Sequence, residues 1–188
     1  MKKSAQSRFN RDQFQKGFTL VELLVVIAII AILAAVVILI INPLELVRRG
    51  RDAARLTDLA DLRNAINISV QESSGSSALA ILCKTTGSYP CNGSSNSGAR
   101  ASDGSGWVQV DLSSSKSLSF PTLPVDPSND ATYHYSYCAN NDSWEIDTTL
   151  ESDQQKSKMA NDGGDDPNLY EVGSNLKLIS SSGGSCTY

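Results

Sequence analysis

Glu22 is a carboxylate in surroundings that oppose it. It lies in a run from Phe18 through Ile41 in which Thr19 is the one other polar residue. Placing an acid near the centre of a membrane span costs about 2.5–3.5 kcal/mol, and less near an end. A position in the first helical turn also suits the helix dipole. An acid retained there calls for a partner. A cut between Gly17 and Phe18 would supply one, because the new α-amine would lie one turn from Glu22 of the same chain. It could equally meet Glu22 of a neighbouring copy and so set the register between subunits.

Other residues able to do chemistry are few. Cys83, Cys91, Cys138 and Cys186 all follow the apolar run. An even number of cysteines there fits disulfides on the oxidising side of a membrane. Their spacing lacks a CxxC pair and His134 is the sole histidine, so no metal–thiolate site is expected. Three pairings are open, and the favoured one is Cys83–Cys91 as a short local loop with Cys138–Cys186 fastening the C-terminal segment. The Gly-rich run around Asp162, Asp165 and Asp166 offers oxygen ligands of the kind Ca²⁺ takes. It lacks the alternating acids and distal Glu of an EF-hand, and an exposed turn uses the same residues. The turn is the preferred reading, with no cofactor required. A single histidine in a Tyr-rich segment, without a reactive-cysteine context, forms no catalytic triad, and no phosphate-binding Gly-rich loop follows a strand. The chain is expected not to be an enzyme.

These residues require elements to position them. The chain of 188 residues suits one modest globular domain and an anchor. Its charge is uneven. Lys2, Lys3, Arg8, Arg11 and Lys16 precede Phe18 against one acid, Asp12, whereas residues 18–188 carry 11 basic and 19 acidic residues, a net −8. An acidic head argues against a general phosphate-binding surface. A helix over residues 18–41 would rise about 36 Å, enough to cross a hydrocarbon core of about 30 Å, with the basic leader cytoplasmic. The apolar run exceeds a secretory h-region and no small-x-small site follows it. A plain anchor explains the length but not Glu22.

The stretch from Lys16-Gly17-Phe18-Thr19-Leu20-Val21-Glu22 through Leu33 resembles, without a gap, the processing and assembly motif of type IV pilins and type II secretion pseudopilins. The resemblance covers residues 16–70 by pattern. It implies that an inner-membrane prepilin peptidase cuts after Gly17 and methylates the amine of Phe18, and that Glu22 serves assembly. It also implies an α+β fold, with a long N-terminal helix packed on a small antiparallel sheet. Partners would be copies of the chain, other pilins, the peptidase, an inner-membrane assembly platform and, before assembly, lipid; a nucleic-acid role is left open. The precursor would span the bacterial inner membrane once, then enter an extracellular or periplasmic filament. Pro43 departs from many family members, whose proline comes earlier, within the apolar run. Major secretion pseudopilins are also known to bind calcium in a loop of the head.

The expected organisation is a leader at 1–17, an apolar helix at 18–41, an amphipathic helix at 42–74 and a head at 75–188. Asn42-Pro43 reads as a local break. Beyond it, Leu59, Leu62, Ile66 and Val70 form an apolar stripe, with Arg48, Arg51, Asp52, Arg55 and Asp58 on exposed faces. Strands are expected at 107–112, 132–138 and 144–150, the last two flanking a loop at 139–143, with further strands at 169–172 and 176–179. Residues 92–106 read as loop. The run Leu123-Pro124-Val125-Asp126-Pro127 is similar to a segment preceding the sheet in major secretion pseudopilins. Three functions follow: a structural pilus subunit, a secretion pseudopilin, or a minor tip subunit or membrane-tethered binding domain.

Overall fold

The computed structural model describes residues 17–73, 75–115, 117, 120–180 and 184–188. All of the expected leader but Gly17 lies outside these. The chain divides at Asn42–Pro43 into two units, taken here in turn.

The first unit is helix α1, Leu20–Ile41. Thr19 caps it in extended conformation (φ −79°, ψ 153°). Its hydroxyl accepts from the Glu22 backbone N–H at 3.2 Å, and the Glu22 carboxylate accepts from the Thr19 backbone N–H at 2.8 Å. This reciprocal capping box satisfies two backbone donors at the helix start. At its far end Asn42 adopts a left-handed conformation (φ 43°), which Asn tolerates better than most residues.

The second unit opens with α2, Pro43–Glu72, where proline occupies the first helical position that suits its fixed φ. Helix α3, Ala78–Leu82, follows, capped by Ser77. Four strands, β1 (Cys91–Ser94), β2 (Tyr135–Asn140), β3 (Ser143–Thr148) and β4 (Tyr170–Gly173), form an antiparallel sheet in that order. Asn141 and Asp142 join β2 to β3 with φ of 48° and 62°, the paired left-handed conformation of a type I′ turn. The strands therefore run closer to the turn than the expected loop at 139–143 allowed.

One face of the sheet packs on α2. Tyr135, Tyr137, Ala139, Ile146 and Val172 meet Leu59, Leu62, Ala65 and Ile66 in a single apolar core that also takes in Trp107, Val108, Val110, Leu112 and Leu123. The buried tyrosine hydroxyls have partners: Tyr135 donates to Asp58 Oδ2 and Tyr137 to the Leu82 carbonyl. The structure pairs Cys83 with Cys91 and Cys138 with Cys186. A smaller cluster of Cys138, Leu169, Leu178, Ile179 and Cys186 covers the opposite face.

Several sequence expectations are corrected. Val70 is exposed, and the stripe continues instead through buried Ser69, whose hydroxyl meets the Asp111 carbonyl. Residues 107–112 are not a strand of the sheet. Their alternation is genuine, but both sides are covered and their backbone bonds go to loops, Trp107 N–H to Ala99 and Leu112 N–H to Ser102. Residues 176–179 contribute one isolated bridge, Ile179 to Cys186, rather than a strand. Strand β1, all but Cys91, falls in the stretch 92–106 expected to be loop. Its Gly93 passes so close to the Trp107 carbonyl that an added Cβ would overlap it.

The largest correction concerns charge. Asp52 and Arg55 are fully buried, not solvated. The Arg55 guanidinium grips Asp126 through two nitrogens, at 2.6 and 2.9 Å, and reaches Asp52 Oδ1 at 2.8 Å and Glu151 Oε1 at 2.7 Å. Its plane also lies over Tyr133. Asp52 in turn accepts from the Glu151 and Ser152 backbone N–H groups. Helical periodicity marks Arg55 as polar but cannot show that two distant loops close over it. Truncating one partner of such a buried network leaves charges uncompensated, at about 3–5 kcal/mol. Arg55→Ala is accordingly expected to lose that much stability in urea denaturation followed by the fluorescence of buried Trp107 and Trp144; a loss under about 1 kcal/mol, the range of exposed ion pairs, would contradict the network's role.

Candidate functional site

Gly17, Phe18 and Glu22 are all accessible. Gly17 precedes the helix in irregular conformation, nothing crowds its α-carbon, and Phe18 is 91% exposed. The capping box fixes the Glu22 carboxylate against Thr19, the second residue after the expected cut. Any new amine on Phe18 would thus emerge beside a pre-positioned acid. The Thr19-x-x-Glu22 spacing is a capping signature legible in the sequence, yet it was masked there by the question of what an acid does in an apolar run.

Helix α1 differs from α2 in kind. The segment Leu20–Ile38 has a mean hydropathy of 3.3 and none of it is buried within the chain. Twenty-two helical residues rise about 33 Å, against a hydrocarbon core of about 30 Å. A helix apolar on every side is a membrane span or a buried core element. This one presents leucine, valine and isoleucine on all faces, so its surface is suited both to lipid and to like helices.

The acidic loop behaves differently from a ready ligand set. Asp162 accepts from the Gly164 and Glu171 backbone N–H groups, and Asp166 accepts from the Asn168 N–H. Both carboxylates thus shape the turn, while Asp165 is exposed. His134 is buried, stacked on the Tyr188 ring at 4.4 Å, and burial lowers its pKa.

The sheet carries a feature that sequence reading missed. Glu145 and Asp147, two apart on β3, point to the face away from α2, and Glu171 on β4 stands directly opposite Asp147. All three are at most 2% exposed. Alternation displays Glu145 and Asp147 as polar, outward residues. That this outer face is covered follows from the Leu178–Ile179 segment, whose two N–H groups donate to Glu145 Oε2 at 2.6 and 2.7 Å. Burial raises the pKa of each of the three, and the neighbouring carboxylates add to the shift for Asp147 and Glu171; Asp147 is pushed up to about 10.

The pH dependence follows from these signs. Carboxyls whose folded pKa is raised hold their protons more tightly folded than unfolded, so their penalty grows as pH rises from the ordinary carboxylate range near 4 toward 10. Glu151 has the opposite sign. Arg51 and Arg55 hold it down at about 2, so its contribution is lost as pH falls from about 4. Thermal melts across this range in a chelating buffer are expected to show a maximum in the mildly acidic region and a decline toward both ends. A flat profile between neutral and alkaline pH would contradict the raised carboxyls.

The family model for the prokaryotic N-terminal methylation motif matches residues 13–38. Neither a curated protein nor a solved structure matches the chain. The matched span contains Gly17, Phe18 and Glu22 and most of α1, and the motif implies processing by a prepilin peptidase and assembly with other pilin-type subunits. The chain thus carries the N-terminal methylation motif found in type IV pilin-like and pseudopilin precursors, ahead of an apolar helix and a four-stranded antiparallel sheet.

Proposed function

We propose that the chain is a structural subunit of a type IV pilus-like filament, built from the inner membrane through α1. The observation that carries this reading is Glu22, fixed by its capping box in the first turn of a helix whose sides are apolar and exposed throughout. The peptidase cuts between Gly17 and Phe18, and the amine of Phe18, methylated, becomes the cationic end of α1. A helix entering the filament brings this amine to Glu22 of a neighbour. Two opposite charges leave the lipid as a pair, which removes the penalty each carries alone. Apolar side chains then pack helix on helix where lipid had covered them. The head remains outside the bundle, and its acidic surface distinguishes one filament from another.

A secretion pseudopilin, forming a short filament confined to the envelope, is the second reading. The 123–127 segment favours it, because its resemblance to major pseudopilins includes Asp126, the residue that Arg55 grips. Electron microscopy of sheared surface material, with the subunit identified by mass, separates the two: long fibres support a pilus, and their absence with an envelope-bound filament supports a pseudopilus.

Two measurements test the shared core. The intact mass of membrane-purified protein is expected to lack residues 1–17 and to carry one additional methyl group; a full-length mass would remove the prepilin reading. Glu22→Ala is expected to be processed as wild type while filament yield falls at least about tenfold, the ratio set by about 1.4 kcal/mol. Wild-type yield would remove the charge-pairing role.

A further inference from the structure

We infer that Glu145, Asp147 and Glu171 bind a divalent cation of the calcium class on the sheet face away from α2. Each offers one carboxylate oxygen, and these three oxygens lie within 4.8 Å of one another. The stronger observation concerns what faces them. Both oxygens of Asp147, both of Glu171 and Oε1 of Glu145 are buried with no hydrogen-bond partner among the described residues. None of the ion pairs formed by the described residues reaches any of the three. Such oxygens are costly as bare carboxylates, because an unpaired buried charge is far more expensive than a paired one. A hard cation seated among the three clustered oxygens would offset that cost.

The geometry also selects among cations. Carboxylate oxygens exclude soft metals, which favour thiolate and imidazole. Magnesium retains several waters and is seldom held in an all-protein cage, whereas calcium accepts six to eight oxygens in flexible arrangements. Three strand-borne carboxylates in one buried cluster therefore suit calcium better. Of the three, Glu171 also borders a cleft of about 460 Å³ at the sheet edge, lined further by Asp162 and Tyr170, with Arg63 and Lys158 at its wall. Gly164 closes over Glu171 so tightly that an added Cβ would overlap its carboxylate. This site is not the Asp162–Asp166 turn, whose Asp162 and Asp166 already bond backbone N–H groups. The turn instead forms part of the cover. Binding would also tie the outer segment to the sheet, because Glu145 holds Leu178 and Ile179 through its other oxygen.

The test uses the whole protein in detergent, stripped with chelator and titrated with CaCl₂ or MgCl₂ by calorimetry and thermal melting. One Ca²⁺ per chain is expected, with a higher melting temperature in Ca²⁺ and weaker binding of Mg²⁺. Asp147→Asn is expected to weaken Ca²⁺ by at least about tenfold and, in chelator, to melt at or above wild type because a buried repulsion is gone. Glu171→Gln should do the same, and serves if the first variant does not fold. Asp165→Asn, in the loop, should bind as wild type. Absence of heat and melting shift with both cations overturns the site. So does binding that survives Asp147→Asn and Glu171→Gln, or that is lost in Asp165→Asn alone. These outcomes do not touch the filament reading, which rests on α1.

Discussion

One guanidinium organises the head. Arg55 lies at zero exposure between Asp52 on its own helix, Asp126 on the proline-rich approach to β2, and Glu151 just after β3. A helix and a sheet can pack on apolar contact alone, but such contact is non-directional. The fork of Arg55 is directional, with bidentate geometry toward Asp126. It fixes where two irregular segments cross α2, and Asp52 reinforces this by taking the backbone N–H groups of Glu151 and Ser152. The core residues Leu59 and Leu62 lie one and two turns farther along the same helix. The ionic lock thus anchors the beginning of the packed region, and the apolar stripe continues it.

The two long helices divide physical tasks that a single amphipathic helix would combine. Helix α1 has no polar face, and its one acid is held in place by its own N-cap. Helix α2 has a polar face, but part of it is interior. The left-handed Asn42 and the proline at position 43 stand between them. Since Pro43 lacks an N–H and fits a first helical turn, the chain can end one helix and begin another within two residues.

Periodicity made much of this legible. The apolar run, the break at Asn42-Pro43, the β2–β3 hairpin and β4 all follow from local patterning, because each is defined by neighbours a few residues apart. What escaped was set by long-range coverage. Arg55 and Asp52 read as solvated charges since their partners lie about seventy and a hundred residues away. Glu145 and Asp147 read as an outward strand face because nothing in β3 discloses that residues 178–179 lie over it. The segment at 107–112 alternates as a strand does, yet it is sandwiched rather than paired. Strand β1 was hidden by its Asn-Gly-Ser composition, which suits a loop by propensity and a ladder only because β2 is alongside. At the processing segment the residue types were informative in themselves, since an acid in an apolar run has few physical justifications.

The bond between Cys138 and Cys186 has a consequence for how the sheet is covered. It spans 48 residues and joins the middle of the sheet to the segment that covers its outer face. Before it forms, the covering segment is held by non-covalent contacts alone. Once formed, it closes the outer face of the sheet covalently, so that this segment can no longer part from the sheet unless the bond is reduced.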